Sequence, residues 1–102
     1  MGTVRLETLG RPVGCKLIRL SAEVEDGVIR RLSIRGDFFA APGEGFDRAE
    51  ARMAGVPLAG SGRVFDALLA QEGVEASGIH GAALEELLAG AAAADSGGDH
   101  HE

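Results

Sequence analysis

Between Ile18 and Ile34, apolar residues recur at every second position on both sides of an Asp-Gly dipeptide, and few folds accommodate that pattern. Ile18, Leu20, Ala22 and Val24 alternate with Arg19, Ser21 and Glu23; beyond Glu25-Asp26-Gly27 the alternation resumes with Val28, Leu32 and Ile34. Successive strand side chains point to opposite faces, so a period of two interrupted by a turn dipeptide predicts a β-hairpin with one buried face. The pattern also selects a register. A two-residue Asp26-Gly27 turn sets Ile18 opposite Arg35 and Leu20 opposite Ser33, mixing the faces. A three-residue loop, Glu25 to Gly27, pairs Val24 with Val28, Leu20 with Leu32 and Ile18 with Ile34. Because a one-residue slip inverts a strand's faces, the second register is expected, with Gly27 in the left-handed position. Arg30 is then the one misfit on the apolar face. Lys16 falls opposite Gly36 and Cys15 opposite Asp37, so that Cys15, Lys16, Gly36, Asp37 and Phe38 meet at the open end of the hairpin.

The flanking sequence completes the outline. Thr3–Leu9 alternates weakly and reads as a first strand, followed by a loop through Gly10-Arg11-Pro12-Val13-Gly14. Pro42-Gly43 breaks the chain after Phe39. A helix is expected from about Glu44 to Met53 with Phe46, Ala49 and Met53 inward. A second runs from about Gly62 to Gln71, capped by Ser61, with Val64, Phe65, Leu68 and Leu69 inward. Val74–Gly78 reads as a link or edge strand. A last helix from about Gly81 to Ala92 buries Ala83, Leu84, Leu87 and Leu88. Strands precede helices, which predicts an α+β fold: an antiparallel sheet built on a hairpin or meander, with helices packed on one face. The expected organisation is one folded domain over 1–92 and a disordered tail over 93–102, whose end from Asp95 holds no apolar residue.

Composition narrows the functional classes. The 102 residues carry a formal charge of -6, yet nine of the ten Lys and Arg lie in residues 1–52. The overall balance argues against a nucleic-acid binder, and four Phe with no Trp or Tyr do not furnish a base-stacking platform. A single cysteine, Cys15, leaves no internal disulfide and no Cys-based zinc site. The N-terminus lacks the apolar stretch of a signal peptide and no window is long enough to span a membrane, so a cytoplasmic protein without membrane contact is expected.

The stretch Gly14-Cys15-Lys16-Leu17-Ile18-Arg19-Leu20, the acidic-Gly turn, and Gly36-Asp37-Phe38-Phe39 followed by Pro42 resemble the C-terminal accessory domain of lipoate–protein ligases. Glu50 and Gly55 match the acidic residue and Gly-bounded end of that domain's next helix, and Ile79 to Leu88 echoes its later helix. The resemblance extends over roughly residues 13–90. Cys15 departs from it, where the family more often has Gly, as does the Gly- and Ala-rich helical half. The resemblance implies a fold similar to iron–sulfur scaffold and sulfur-acceptor proteins. It also implies a division of labour, in which a catalytic subunit binds ATP, Mg and lipoate, forms lipoyl-adenylate and lipoylates a lysine of an acceptor domain. The accessory domain supports the activation step. This chain has no Arg-Arg-x-x-Gly-Gly-Gly-type segment, so the expectation is a non-catalytic subunit with no cofactor or metal of its own. Its partner is the catalytic chain and, through it, lipoyl-acceptor domains.

Candidate contact residues follow from the hairpin end and its polar face: Lys16, Arg19, Arg35, Asp37, Phe38 and Phe39. Clustered cations in an acidic protein suit carboxylate or phosphate groups on a partner, although a solvated sheet face with Glu23 as counterion accounts for them equally. The two Phe rings fit a docking element or a core-packed strand end. Cys15 raises the alternative of a sulfur-acceptor or iron–sulfur assembly protein; one thiol suffices for an acceptor and not for a scaffold. Gly60-Ser61-Gly62 lacks the Lys-Ser/Thr ending of a phosphate loop and reads as a turn. Asp99, His100 and His101 on a tail offer a metal no fixed geometry.

Overall fold

The computed structural model of the protein describes residues 2–98, the side chains of 95–98 excepted. Three strands, β1 (Thr3–Gly10), β2 (Ile18–Glu25) and β3 (Val28–Gly36), form an antiparallel meander in that order. Two further short strands, β4 (Phe39–Ala41) and β5 (Glu75–Ser77), pair antiparallel in a separate ladder. Between and after them lie α1 (Gly43–Ala51), α2 (Ser61–Gln71) and α3 (Gly81–Gly98). α3 lies against β1, α1 against β3, and α2 against both helices. The expected α+β fold, with helices over one face of an antiparallel sheet, is the fold observed.

The core sits between that face and the helices. Ile18, Leu20, Ala22 and Val24 of β2 and Leu32 and Ile34 of β3 are buried there, with Phe46, Ala49, Met53, Phe65, Leu68, Leu69, Leu84 and Leu88 opposite. Burying side chains of this size contributes about 1.5–3 kcal/mol each, the main favourable term of the fold.

The hairpin register differs from the expected one. The turn is the two-residue one, with Asp26 and Gly27 at φ 53° and 78°, the twist that suits a tight hairpin. Glu25 faces Val28 and Val24 faces Ile29, but Glu23 then faces Arg31, leaving Arg30 as the extra residue of a β-bulge. Beyond the bulge Leu20 pairs with Ile34 and Ile18 with Gly36. The misfit at Arg30 is thereby resolved: Ile29, not Val28, enters the core, and Arg30 turns out to solvent against Glu25. Lys16 is accordingly not opposite Gly36, nor Cys15 opposite Asp37.

The helical half holds further differences. Val64 lies on the exposed side of α2. α3 passes its expected end at Ala92 and continues to Gly98; residues 99–102, and with them the Asp99, His100 and His101 reading, lie outside the described residues. Ser61 is not a side-chain cap: Gly60 is the N-cap of α2, and Ser61 Oγ is buried with no hydrogen-bond partner among the described residues. The cap comes from another helix. Glu85 of α3 accepts from the N–H groups of Gly60 at 3.0 Å and Gly62 at 2.8 Å, and Asp66 of α2 accepts from Gly81 N–H at the start of α3 at 2.8 Å. Each helix thus supplies a carboxylate to the positive end of the other. The two N-termini cross at Gly62 and Gly81, where a Cβ on either would run into the carbonyl of its counterpart.

The two outer edges of the meander are treated differently. Along β3, Ile29 N–H donates to Val56 O at 2.8 Å, Gly55 N–H donates to Ile29 O at 2.7 Å, and the Glu50 carboxylate accepts from Ile34 N–H at 2.6 Å. A loop and a side chain therefore seal that edge. Among the described residues, no other element hydrogen-bonds to the outer edge of β1.

Candidate docking site at the open end of the sheet

The end of the meander where β1 stops, β2 starts and β3 stops brings most of the sequence-derived candidates together, although by a route the hairpin register did not foresee. The face away from the helices carries, in one cross-strand row, Leu9, Arg19 and Arg35. All three are exposed. Two guanidinium-bearing residues directly opposite each other on neighbouring strands are unfavourable in isolation. Arg35 is partly compensated: its Nη1 donates to Ile34 O at 2.8 Å and lies 3.5 Å from Glu50 Oε2. Among the described residues, Arg19 makes no ion pair.

Lys16 reaches the same end through β5. Its N–H donates to Gly78 O at 2.9 Å, and its side-chain stem lies across Gly78, so close that a Cβ there would meet Lys16 Cγ at 2.6 Å. Phe38 borders the same glycine. Asp37 N–H donates to Leu17 O at 3.0 Å, which continues the β2–β3 ladder by one bond. The Asp37 side chain is exposed and, among the described residues, makes no hydrogen bond or ion pair.

The two aromatic candidates separate. Phe38 is half-buried, its ring centroid 5.3 Å from that of Phe46, which in turn meets Phe65 edge-on at 6.0 Å. This ladder of rings runs from the sheet end into the core. Phe39, one residue on, is 60% exposed. Two other large apolar residues of this end are also exposed, Leu9 at 53% and Val13 at 98%; sequence reasoning passed over both. Leu9 was legible as the outward position at the end of β1, whereas nothing in a Pro-Gly loop indicates that Val13 stands free. Exposed apolar side chains at an end that also carries Lys16, Arg19 and Arg35 make it suited to binding a macromolecular surface.

Cys15 does not belong to that exposed set. It is half-buried and packs against the hydrophobic core, and its N–H donates to Pro12 O at 2.9 Å inside the loop. Gly60-Ser61-Gly62 is likewise accounted for: the anion at the N-terminus of α2 is the protein's own Glu85. Those two backbone hydrogen bonds, assisted by Arg63, hold the Glu85 carboxyl below the usual glutamate range against a smaller opposing effect of burial.

Comparison with known proteins bears on the fold. No protein-family model matches the chain, and no curated protein matches it. Among solved structures it is similar to a chain of the archaeal lipoylation system of Thermoplasma acidophilum, described as a bipartite lipoate protein ligase and its E2 lipoyl domain. The TM-score is 0.58 and the identity 21%, over 78% of this chain and 86% of that one. The likeness is one of fold. The lipoate-ligase resemblance of Gly14–Leu20 and Gly36–Phe39 is thus met by a fold found in a lipoate ligase system.

Proposed function

We propose that this protein is the accessory subunit of a two-chain lipoate–protein ligase, binding a catalytic chain and supporting ATP-dependent activation of lipoate to lipoyl-adenylate. The observation that carries the reading is Phe39. Its large apolar side chain is held in solvent as the last residue of the lipoate-ligase-like Gly36-Asp37-Phe38-Phe39, three residues beyond the end of β3. The fold it shares with a chain of a bipartite ligase system supports the same reading. In this account Phe39, Leu9 and Val13 supply the desolvated centre of the contact, and Lys16, Arg19 and Arg35 meet carboxylate or phosphate groups at its rim. Lipoate, ATP and Mg belong to the catalytic chain. This subunit acts as lids do, excluding water and fixing reactants.

Affinity purification of the tagged chain from its own cells, with mass spectrometry, tests the partner. Recovery of a roughly stoichiometric lipoate-ligase catalytic chain is the expected result; a cysteine desulfurase in its place overturns the reading. With the complex in hand, Asp37→Ala is expected to lower lipoate-dependent ATP–pyrophosphate exchange more than transfer from preformed lipoyl-adenylate. Equal loss in both steps removes Asp37 from the activation role.

A further inference from the structure

We propose that a second copy of this chain pairs with the free edge of β1, joining two meanders into one six-stranded antiparallel sheet about a twofold axis at Leu6. Ile34 N–H points out of the sheet, to Glu50, so its partner Leu20 turns its own N–H and C=O toward β1. Alternation along an antiparallel ladder then directs Thr8, Leu6 and Val4 at β2, and Thr3, Arg5, Glu7 and Leu9 outward. Among the described residues, nothing accepts or donates at those outward groups. Access is open: beside Arg5 to Thr8 runs a groove whose far wall is Glu86, Leu87, Gly90, Ala91 and Ala94 of α3, three of the five Gly or Ala, which leaves the strand uncovered.

An exposed edge accepts an extended strand, and the charges of β1 state which. Outward groups meet outward groups, and sheet faces match, only if odd-numbered residues oppose odd-numbered ones. Pairing centred on Arg5 sets Arg5 against itself, and pairing centred on Glu7 sets Glu7 against itself. Pairing centred on Leu6 sets Arg5 against the second copy's Glu7 and Glu7 against its Arg5, with Val4 opposite Thr8 and Leu6 opposite Leu6. Arg5 and Glu7 already lie 3.1 Å apart within one strand, so the twofold joins two such pairs into a ring of alternating charge. β1 is in this sense its own complement. The axis lies three residues from Leu9, about 10 Å at 3.4 Å per residue, with the second copy's Thr3 opposite Leu9 and with Arg19 and Arg35 one and two strands further in.

Sedimentation velocity of the purified chain, from about 1 µM to about 1 mM to cover a weak interface of this size, reads the proposal. The wild type is expected to show a concentration-dependent dimer. Arg5→Glu and Glu7→Arg each place like charges opposite one another twice, and each is expected to raise the dimer Kd about tenfold or more. An equimolar mixture of the two variants is expected to restore association as a heterodimer. Weakening of each variant alone together with this recovery marks the Leu6 register, because pairing centred on Arg5 or Glu7 keeps like charges opposed in the wild type and in each variant alike. Glu7→Pro, which removes an outward N–H and spares the β1–β2 bonds, is expected to abolish it. Circular dichroism confirms that each variant is folded. A monomer throughout, or a dimer unmoved by the charge exchanges, overturns the proposal. So does protection of the Arg5 and Glu7 amides that appears only when a catalytic chain is added, since the edge then belongs to that chain. Arg5→Glu lies four residues from Leu9, about 14 Å along the strand, so recovery of the catalytic chain by that variant keeps this outcome separate from the proposed function.

Discussion

Phe38 and Phe39 are adjacent and chemically identical, and the fold assigns them opposite tasks. Phe38→Ala removes a half-buried ring packed at a tilt against Phe46 and is expected to lower stability by about 2 kcal/mol, measured as a shift in urea midpoint. Phe39→Ala removes a ring that is 60% exposed. It is expected to change stability by no more than about 0.5 kcal/mol while reducing recovery of the partner chain in affinity purification. If Phe39→Ala destabilises as Phe38→Ala does, its ring has a structural role and the docking account fails. The sequence identified both residues and could not divide the roles, because neighbouring side chains diverge whatever lies beneath, and what lies beneath is α1. The same holds for Lys16 and Asp37, which reach the sheet end through Gly78 and Leu17 and not through each other.

At the scale of elements, alternation made the inward residues of β2 and β3 legible but not their pairing. Beyond the bulge the expected and observed registers differ by two residues, so both put Leu20, Leu32 and Ile34 on the buried face, and a pattern of period two cannot separate them; next to the turn they differ by one, and Ile29 replaces Val28 inside. What separates them is the bulge at Arg30, one surplus residue between two correctly facing stretches. Deleting Arg30 is therefore expected to leave the chain folded, while deleting Ser33 shifts Ile34 and Arg35 to the wrong faces and is expected to abolish the cooperative thermal transition. The crossing of α2 and α3 was illegible for another reason: its caps come from residues nearly a helix's length or more away in sequence. Gly62→Ala forces the two backbones apart where no side chain can yield, and is expected to cost about 1–3 kcal/mol by denaturant titration. The caps also make stability depend on pH. Glu85 binds its proton less readily folded than unfolded. Its contribution is thus complete above the ordinary glutamate range and is lost as pH falls through the lower folded value. Glu72, held low chiefly by its hydrogen bond from Arg48, acts in the same direction. Glu85→Gln is expected to flatten part of the acid limb in urea midpoints taken at successive pH values; an unchanged limb contradicts this.

The molecule as a whole divides its surface by use. Seven of its ten Lys and Arg lie in the strand half before Pro42, and eleven of its sixteen Asp and Glu beyond it, so a partner with acidic rims is steered toward the strand half. Raising salt is expected to slow association with the catalytic chain more than it speeds dissociation, measured by surface-immobilised binding kinetics. No helix among the described residues is long and apolar enough to cross a membrane. Architecture at this scale was the part most open to sequence reasoning, because the order of strands and helices limits the ways a single core can be covered. The state of each sheet edge was not open to it, since Glu50 and Val56 seal β3 from elsewhere in the chain. That sealing has a consequence for growth. A monomer with two reactive margins polymerises, whereas one with a single reactive margin can only be consumed in a pair. Glu50 and the Gly55-Val56 loop thereby act as a chain terminator in two parts: Glu50→Lys would release the Ile34 end of that margin while the loop still occupies the Ile29 end.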